Sequence, residues 1–140
     1  MKILIAADGN EFTRRALAYL AAHDEWLGSA HRYTVLTVVP ALPPHAVRVV
    51  EKDTVKAWYA DAAEAVFKPI RTFFKKQKIE AEYVTKVGHA GETIAKTADA
   101  GGFDLVLMGS HGHGTIVNMV MGSVATKVLA SCKTPVLLVR

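Results

Sequence analysis

The sequence predicts an α/β protein: a doubly wound, five-stranded parallel sheet with helices on both faces. Three observations lead there. Short apolar runs recur along the chain without the apolar–polar alternation of a half-exposed strand, as expected for strands buried on both faces. Between them lie segments whose apolar residues return at three-and-four spacing, the helical period. Strand and helix alternate from end to end, which calls for parallel strands joined by right-handed crossovers.

Residues 2–7, Lys2-Ile3-Leu4-Ile5-Ala6-Ala7, make the first strand. Asp8-Gly9-Asn10 is a turn with Asn10 as helix N-cap, and Phe12, Ala16, Leu17, Leu20 and Ala21 then mark a helix over residues 11–27. Residues 33–39, rich in Val and Thr, form the second strand. Residues 40–45 hold three prolines, which lack a donor and fix φ, so a semi-rigid loop is expected at that strand's C-terminal end. From Asp53-Thr54 onward, Val55, Trp58, Tyr59, Ala62, Ala63, Val66, Ile70, Phe73 and Phe74 keep helical spacing, and their stripe reads as core packed on the sheet. Pro69 falls inside this longest helix and should kink or break it near Lys68. A third strand over 82–87, a third helix over 92–100, a fourth strand over 103–108, a last helix over 122–131 and a fifth strand over 135–139 complete the chain.

Two strand orders satisfy the connection rules, 3-2-1-4-5 and 2-1-3-4-5. Ligands of such sheets sit beyond the strand C-termini at the point where the order reverses. Asp8 closes the first strand and a glycine-rich stretch closes the fourth, and only the order 3-2-1-4-5 makes those two strands neighbours across the switch.

That stretch is Met108-Gly109-Ser110-His111-Gly112-His113-Gly114-Thr115, continued to Gly122-Ser123. Gly109 and Gly112 are free to take positive φ and carry no side chain, so the backbone there can turn and present N–H groups. Gly122-Ser123 opens the last helix, whose first N–H groups and positive dipole end face the same crevice. Together these form a phosphate cradle in two halves. A tight turn followed by Ser123 as an ordinary N-cap is the plainer alternative. No Lys follows the glycines as a Walker loop requires. Val117 stands where a dinucleotide fingerprint needs its third Gly. Met108 precedes Ser110 where a nucleophile elbow needs Gly.

With this Gly-x2-Gly-x9-Gly-Ser spacing at Gly109, Gly112, Gly122 and Ser123, the chain resembles the ATP-binding branch of the universal stress protein family. Asp8-Gly9-Asn10 is similar to the family's Asp-Gly-Ser turn, and residues 134–139 are similar to its last strand. The resemblance runs over essentially the whole chain and implies a Rossmann-like sheet of order 3-2-1-4-5 holding ATP. It implies that Gly109 and Gly112 let backbone N–H groups meet ribose and phosphates, and that Ser123 with the N–H groups of Val124 and Ala125 holds the phosphate tail. Asp8 would lie near the ribose or a magnesium ion, Val38 would meet the adenine through its backbone, and Ala6 would pack nearby. His111 and His113 occupy the glycine loop, where many relatives place a basic residue at the second position. A neutral imidazole supplies less charge to a phosphate than Arg does.

Composition sets the remaining expectations. With 140 residues, 51% of them hydrophobic, one domain over 1–140 can bury about 68% of its unfolded surface. A net charge of +4 is mild, and its densest part, Lys68, Arg71, Lys75, Lys76 and Lys78, reads as the solvated end of a helix, not a nucleic-acid surface. The single cysteine, Cys132, excludes an internal disulfide and fits a packing role in a reducing cytoplasm. Asp8 comes too early for a secretory segment, and no apolar run approaches the ~18 residues of a membrane span. His111, His113, His89 and Asp8 could be read as metal ligands, but histidines two apart in a glycine loop are a poor tetrahedral set, and magnesium arriving with ATP is the better expectation. The cradle offers amides, Ser123 and two histidines, with Lys127 a turn beyond Gly122, so no catalytic residue is assigned and hydrolysis should be slow at most. The function expected is therefore that of an ATP-binding regulatory protein of the stress response. The alternatives are a slow ATPase and a nucleotide-free interaction module of the same fold. The apolar last strand, Val136–Val139, at a sheet edge invites pairing with a second copy, and the resemblance also implies a homodimer.

Overall fold

The structure is a computed structural model that describes residues 1–23, 25, 30–112 and 120–140. Strands β1 (Lys2–Ala6), β2 (Arg32–Val39), β3 (Ala81–Val87), β4 (Leu105–Gly109) and β5 (Val136–Val139) are parallel and lie in the order β3-β2-β1-β4-β5. Of the two orders open to the sequence, this is the one that pairs the first and fourth strands. Ala6 of β1 sits between Leu36 and Met108; β4 ends one residue further on, at Gly109, and β2 runs on three residues, to Val39. Helices α1 (Glu11–Ala22), α2 (Pro44–Val49), α3 (Lys52–Lys76), α4 (Ala90–Ala100) and α5 (Ser123–Ser131) make the connections.

The unalternated strands are explained by two cores. Ile3, Ile5 and Leu107 face Ala16, Leu17 and Leu20 of α1 and Phe67, Ile70 and Phe74 of α3. Leu4, Ala6, Val106 and Met108 face Ile94 and Ala98 of α4 and Ala125 and Val128 of α5. Successive strand residues point to opposite faces, and both faces are covered, so both parities must be apolar. Burying each of the large side chains contributes about 1.5–3 kcal/mol. Among the described residues no helix is long and apolar enough to cross a membrane.

Four local expectations are corrected. The first helix ends at Ala22, not at residue 27, because His23 turns to extended backbone and its Nδ1 hydrogen-bonds the Tyr19 carbonyl at 2.7 Å, taking an acceptor of the last turn; Leu27 itself lies outside the described residues. The expected loop over 40–45 gives way to helix at Pro44, since proline's missing donor is harmless at the first helical position. Pro69 does not break α3. The carbonyl it leaves without a donor belongs to Ala65, which is exposed to water as Pro69 is, while Phe67, Ile70 and Phe74 hold the other face down. Trp58, read as part of the core stripe, is 46% exposed. Of the basic cluster, Arg71 is used within the fold, paired with Glu64 and lying over the Tyr83 ring at 4.8 Å.

One carboxylate stitches α4 to the turn between α5 and β5. Asp99 accepts from the Lys133 and Thr134 N–H groups at 3.1 and 3.0 Å, from the Thr134 hydroxyl at 2.8 Å and from the Cys132 thiol at 3.4 Å. The Lys133 N–H and the Thr134 hydroxyl hold its pKa down to about 2, from an ordinary 3.8. A carboxyl depressed on folding stabilises the fold above its unfolded pKa and loses that contribution as pH falls through its folded one. Asp99→Asn should therefore melt lower than wild type at pH 7, with the gap closing as the pH is brought from near 4 to near 2. Thermal melts across that range check it, and a gap independent of pH would contradict the assignment.

Candidate functional site

A cleft of about 440 Å³ opens at the C-terminal ends of β1, β2 and β4. It lies where the order reverses: β1 is followed by α1 on one face of the sheet and β4 by α5 on the other, the divergence that opens a crevice between adjacent strand ends. Ala6, Asp8, Val38, Gly109, His111, Gly112, Gly122, Ser123, Val124 and Ala125, each singled out from the sequence, all line it. His113, the remaining residue of that set, lies outside the described residues.

The mouth is built by the start of α1. The Asn10 side chain caps the helix, accepting from the Phe12 and Thr13 N–H groups at 3.0 and 3.1 Å, and its amide donates across to the His111 carbonyl at 3.1 Å. Asp8 is held beside it: its Oδ1 accepts from the Thr13 hydroxyl at 3.0 Å and from the Asn10 N–H at 3.1 Å. The His111 ring lies 4.7 Å from that of Phe12, and its Nδ1 is 2.8 Å from the Ser110 hydroxyl. The carboxylate, the glycine loop and the helix N-terminus thus form one hydrogen-bonded unit that spans β1 and β4.

The glycines are required by close approach. Among the described glycines, positive φ falls on Gly9, Gly88 and Gly102, not on Gly109 or Gly112, which corrects the expectation of a positive-φ loop. A Cβ on Gly109 would stand 2.4 Å from the Phe12 Cβ, so this glycine lets α1 seat over the end of β4. At Gly122 a Cβ would come within 3.1 Å of the His111 Cα and 3.2 Å of the Ser110 carbonyl oxygen. The Gly122 N–H instead donates to that oxygen at 2.7 Å, which joins the two halves of the cradle directly. The turn that needs left-handed backbone is Gly9, at φ 80°.

Chemically the cleft has an apolar body and a polar end. Val38, Leu36, Ile94 and Met108 provide surface for a flat apolar group. At the polar end, α5 begins at Ser123 behind Gly122, an N-cap residue with no side chain to cap it, and its first residues line the crevice, so the first N–H groups and the dipole lie at that end. Among the described residues lining the cleft there is no Lys or Arg, and Lys127 is 3.8 Å from Glu92 on the outer surface. The described residues hold no group of three or more His, Cys, Asp or Glu side chains placed for a metal. Sequence reasoning missed the supports Phe12, Thr13 and Ser110 and the wall residues Ala62, Val66, Ala90 and Ile94. The apolar periodicity of Phe12 and of the wall residues reads only as core, and the bonds of Thr13 to Asp8 and of Gly122 to Ser110 depend on how the chain folds back, which leaves no pattern in the sequence.

Fold and cleft together define a doubly wound α/β protein with a ligand-sized crevice at its topological switch point. The chain belongs to the universal stress protein family, whose sequence model matches residues 1–140. Universal stress protein Slr1230 of Synechocystis is 31% identical over 139 residues, covering 99% of this chain and 42% of that relative, so the chain spans less than half of its length. A universal stress protein of Thermus aquaticus is 28% identical over 149 residues, covering 99% of this chain and 97% of the other. The solved structure of MJ0577, a universal stress protein of Methanocaldococcus jannaschii, superimposes with a TM-score of 0.78 at 26% identity, covering 99% of this chain and 94% of that one. Three more distant structures share the fold and carry nucleotides. They are a universal stress protein with cAMP (TM-score 0.64, 21% identity, 100% and 96% covered), an Arabidopsis thaliana member with AMP (0.70, 15%, 99% and 90%) and an Archaeoglobus fulgidus member with dAMP (0.62, 19%, 100% and 98%).

Proposed function

We propose that this chain is one domain that binds an adenine nucleotide across the ends of β1 and β4. The base lies toward Val38 and Ala6, the ribose near Asp8, and the phosphates against Gly109, Gly112, His111, His113, Gly122, Ser123 and the N–H groups of Val124 and Ala125. The observation that carries this reading is the start of α5, with glycine as its N-cap residue, lining the polar end of a cleft whose other end is apolar. A volume of about 440 Å³ suits a nucleotide-sized ligand. The nucleotides carried by structures of the same fold support the adenine assignment.

The ligand proposed is ATP, with a magnesium ion that it brings. Ser123 and the amides would hold the phosphate tail while Asp8 stands near the ribose or the metal. Efficient cleavage needs positive charge placed against the transferring phosphoryl group. Lys127 is turned to Glu92, so the parts in the cleft suit holding a triphosphate better than cutting it. The chain then acts as a cytoplasmic regulator of the stress response whose nucleotide is its signal, with hydrolysis slow enough to serve as a timer.

A micromolar complex is worth about 8 kcal/mol, and Gly122→Val should remove at least about 1.4 kcal/mol of it, a tenfold loss. The added Cβ would press on His111 and the Ser110 carbonyl and part the two halves of the cradle. Calorimetry with ATP and magnesium, alongside a melting curve to confirm folding, tests this. Equal binding by both proteins would overturn the cradle.

We also propose that two copies pair through β5. It is an edge strand whose four residues are only half-buried, and among the described residues no further strand pairs with its outer side. Sedimentation equilibrium should report a dimer at tens of micromolar, an arbitrary range above weak self-association. A monomer there would refute the pairing.

A further inference from the structure

The segment that follows β2 is an unusual wall. Pro40 lines the cleft, and Pro43 and Pro44 carry the chain into α2, so within 40–44 only Ala41 and Leu42 own a backbone N–H group. Six-residue α2 buries nothing, and Val47 and Val49 stand in solvent. Such a segment has little apolar area with which to hold itself against the cleft.

What ties it down is a hydrogen bond to another element. The Leu42 N–H donates to the Tyr59 hydroxyl at 2.9 Å. Tyr59 sits on α3, and its ring packs partly against the core and lies edge-on to Trp58, with ring centres 5.4 Å apart. Three and seven residues further along the same helix, Ala62 and Val66 line the cleft. Those spacings place them on one stripe of α3, so Tyr59 stands at the rim of the wall that α3 contributes. Pro40 of the strap and Ala62 of the helix both line the cleft, and the phenol joins the two elements beside it.

We propose that Tyr59 is the latch of a strap formed by residues 40–50, and that its hydroxyl sets how fast ligand passes into and out of the cleft. The gating half rests on the nucleotide reading above; the latch itself does not. Tyr59 is a positioning residue: it holds the wall and acts on the ligand through it. When the bond opens, Leu42 loses its acceptor to water and the strap swings on Pro40, exposing the apolar end of the cleft. The latch forms with or without ligand, so removing it favours the open strap in both states. On- and off-rates then rise together while Kd moves little.

The test compares wild type with Tyr59→Phe, which keeps the ring and deletes only the hydroxyl, the acceptor of the Leu42 N–H. Leu42→Pro deletes the donor from the strap's side and serves if the first variant folds poorly, with exchange then read at the Ala41 amide and held to the same outcomes. In ligand-free protein, amide exchange at Leu42 should quicken about three- to tenfold in Tyr59→Phe, the loss of one neutral hydrogen bond, with the melting point nearly unchanged. In stopped flow with N-methylanthraniloyl-ATP, association and dissociation should both quicken by a similar factor while Kd stays within about twofold. Unchanged Leu42 exchange would overturn the latch. Faster exchange with unchanged rates, or a Kd that shifts through dissociation alone, would overturn the gating. If wild type fails to bind the probe, the nucleotide reading falls and the gate with it, while the exchange measurement still decides whether the latch exists.

Discussion

The side-by-side pairing of β1 and β4, with Ala6 opposite Met108, is the constraint on which the rest of this structure depends. It puts Asp8 and the glycine loop on adjacent strand ends, and it sends the connections of those two strands to opposite faces of the sheet. A crevice must then open between them. The start of α1 locks the arrangement: Asn10 caps its own helix and reaches His111, and Phe12 fills the space that a side chain on residue 109 would need. The Ser110 carbonyl receives the Gly122 N–H and so brings α5 to the same rim. Moving β4 elsewhere in the sheet would dissolve all of these contacts together.

The parts of the fold that the sequence declares are those set by local pattern. Apolar runs such as Ile3-Leu4-Ile5 have one physical explanation, burial on both faces, and the two cores supply it. The strand order needed one further step: Asp8 and Gly109 both look like ligand-facing strand ends, and only one order brings them together. The spacing of Gly109, Gly112, Gly122 and Ser123 marked the residues that now surround the cleft, but the reason assigned to the first two was incomplete. A glycine that admits Phe12 and a glycine that turns the chain look alike in sequence. Bonds between distant residues were not legible at all. Asn10 to His111, Asp99 to Thr134 and Leu42 to Tyr59 span 101, 35 and 17 residues, and nothing in local periodicity announces such partners. Helix ends failed for a related reason, since His23 ends α1 through a side-chain bond that competes with the helical ladder.

The chemistry proposed for the cleft is that of a holder. Among the described residues its polar end combines backbone N–H groups, the Ser123 and Thr13 hydroxyls, His111 and the Asp8 carboxylate, and preorganised amides bind a phosphate without needing a counter-charge. Catalysis of phosphoryl transfer asks for more, because charge develops during the reaction and has to be met by cations in place. The same economy applies to the walls. Leu36, Ile94 and Met108 belong to the core on one face, so the apolar end of the cleft is as rigid as the sheet, while the strap at residues 40–50 is the part with least to hold it. A binding site with one firm wall and one tethered wall can select its ligand by shape and still release it.

The central claim, that an adenine nucleotide sits across the ends of β1 and β4, is tested most directly by a crystal structure of the protein soaked with ATP and magnesium. The account predicts density for the base beside Val38, and for phosphate oxygens within about 3 Å of the Ser123 hydroxyl and the first N–H groups of α5. Nucleotide bound elsewhere on the molecule, or a cleft that stays empty at saturating ATP, would contradict it.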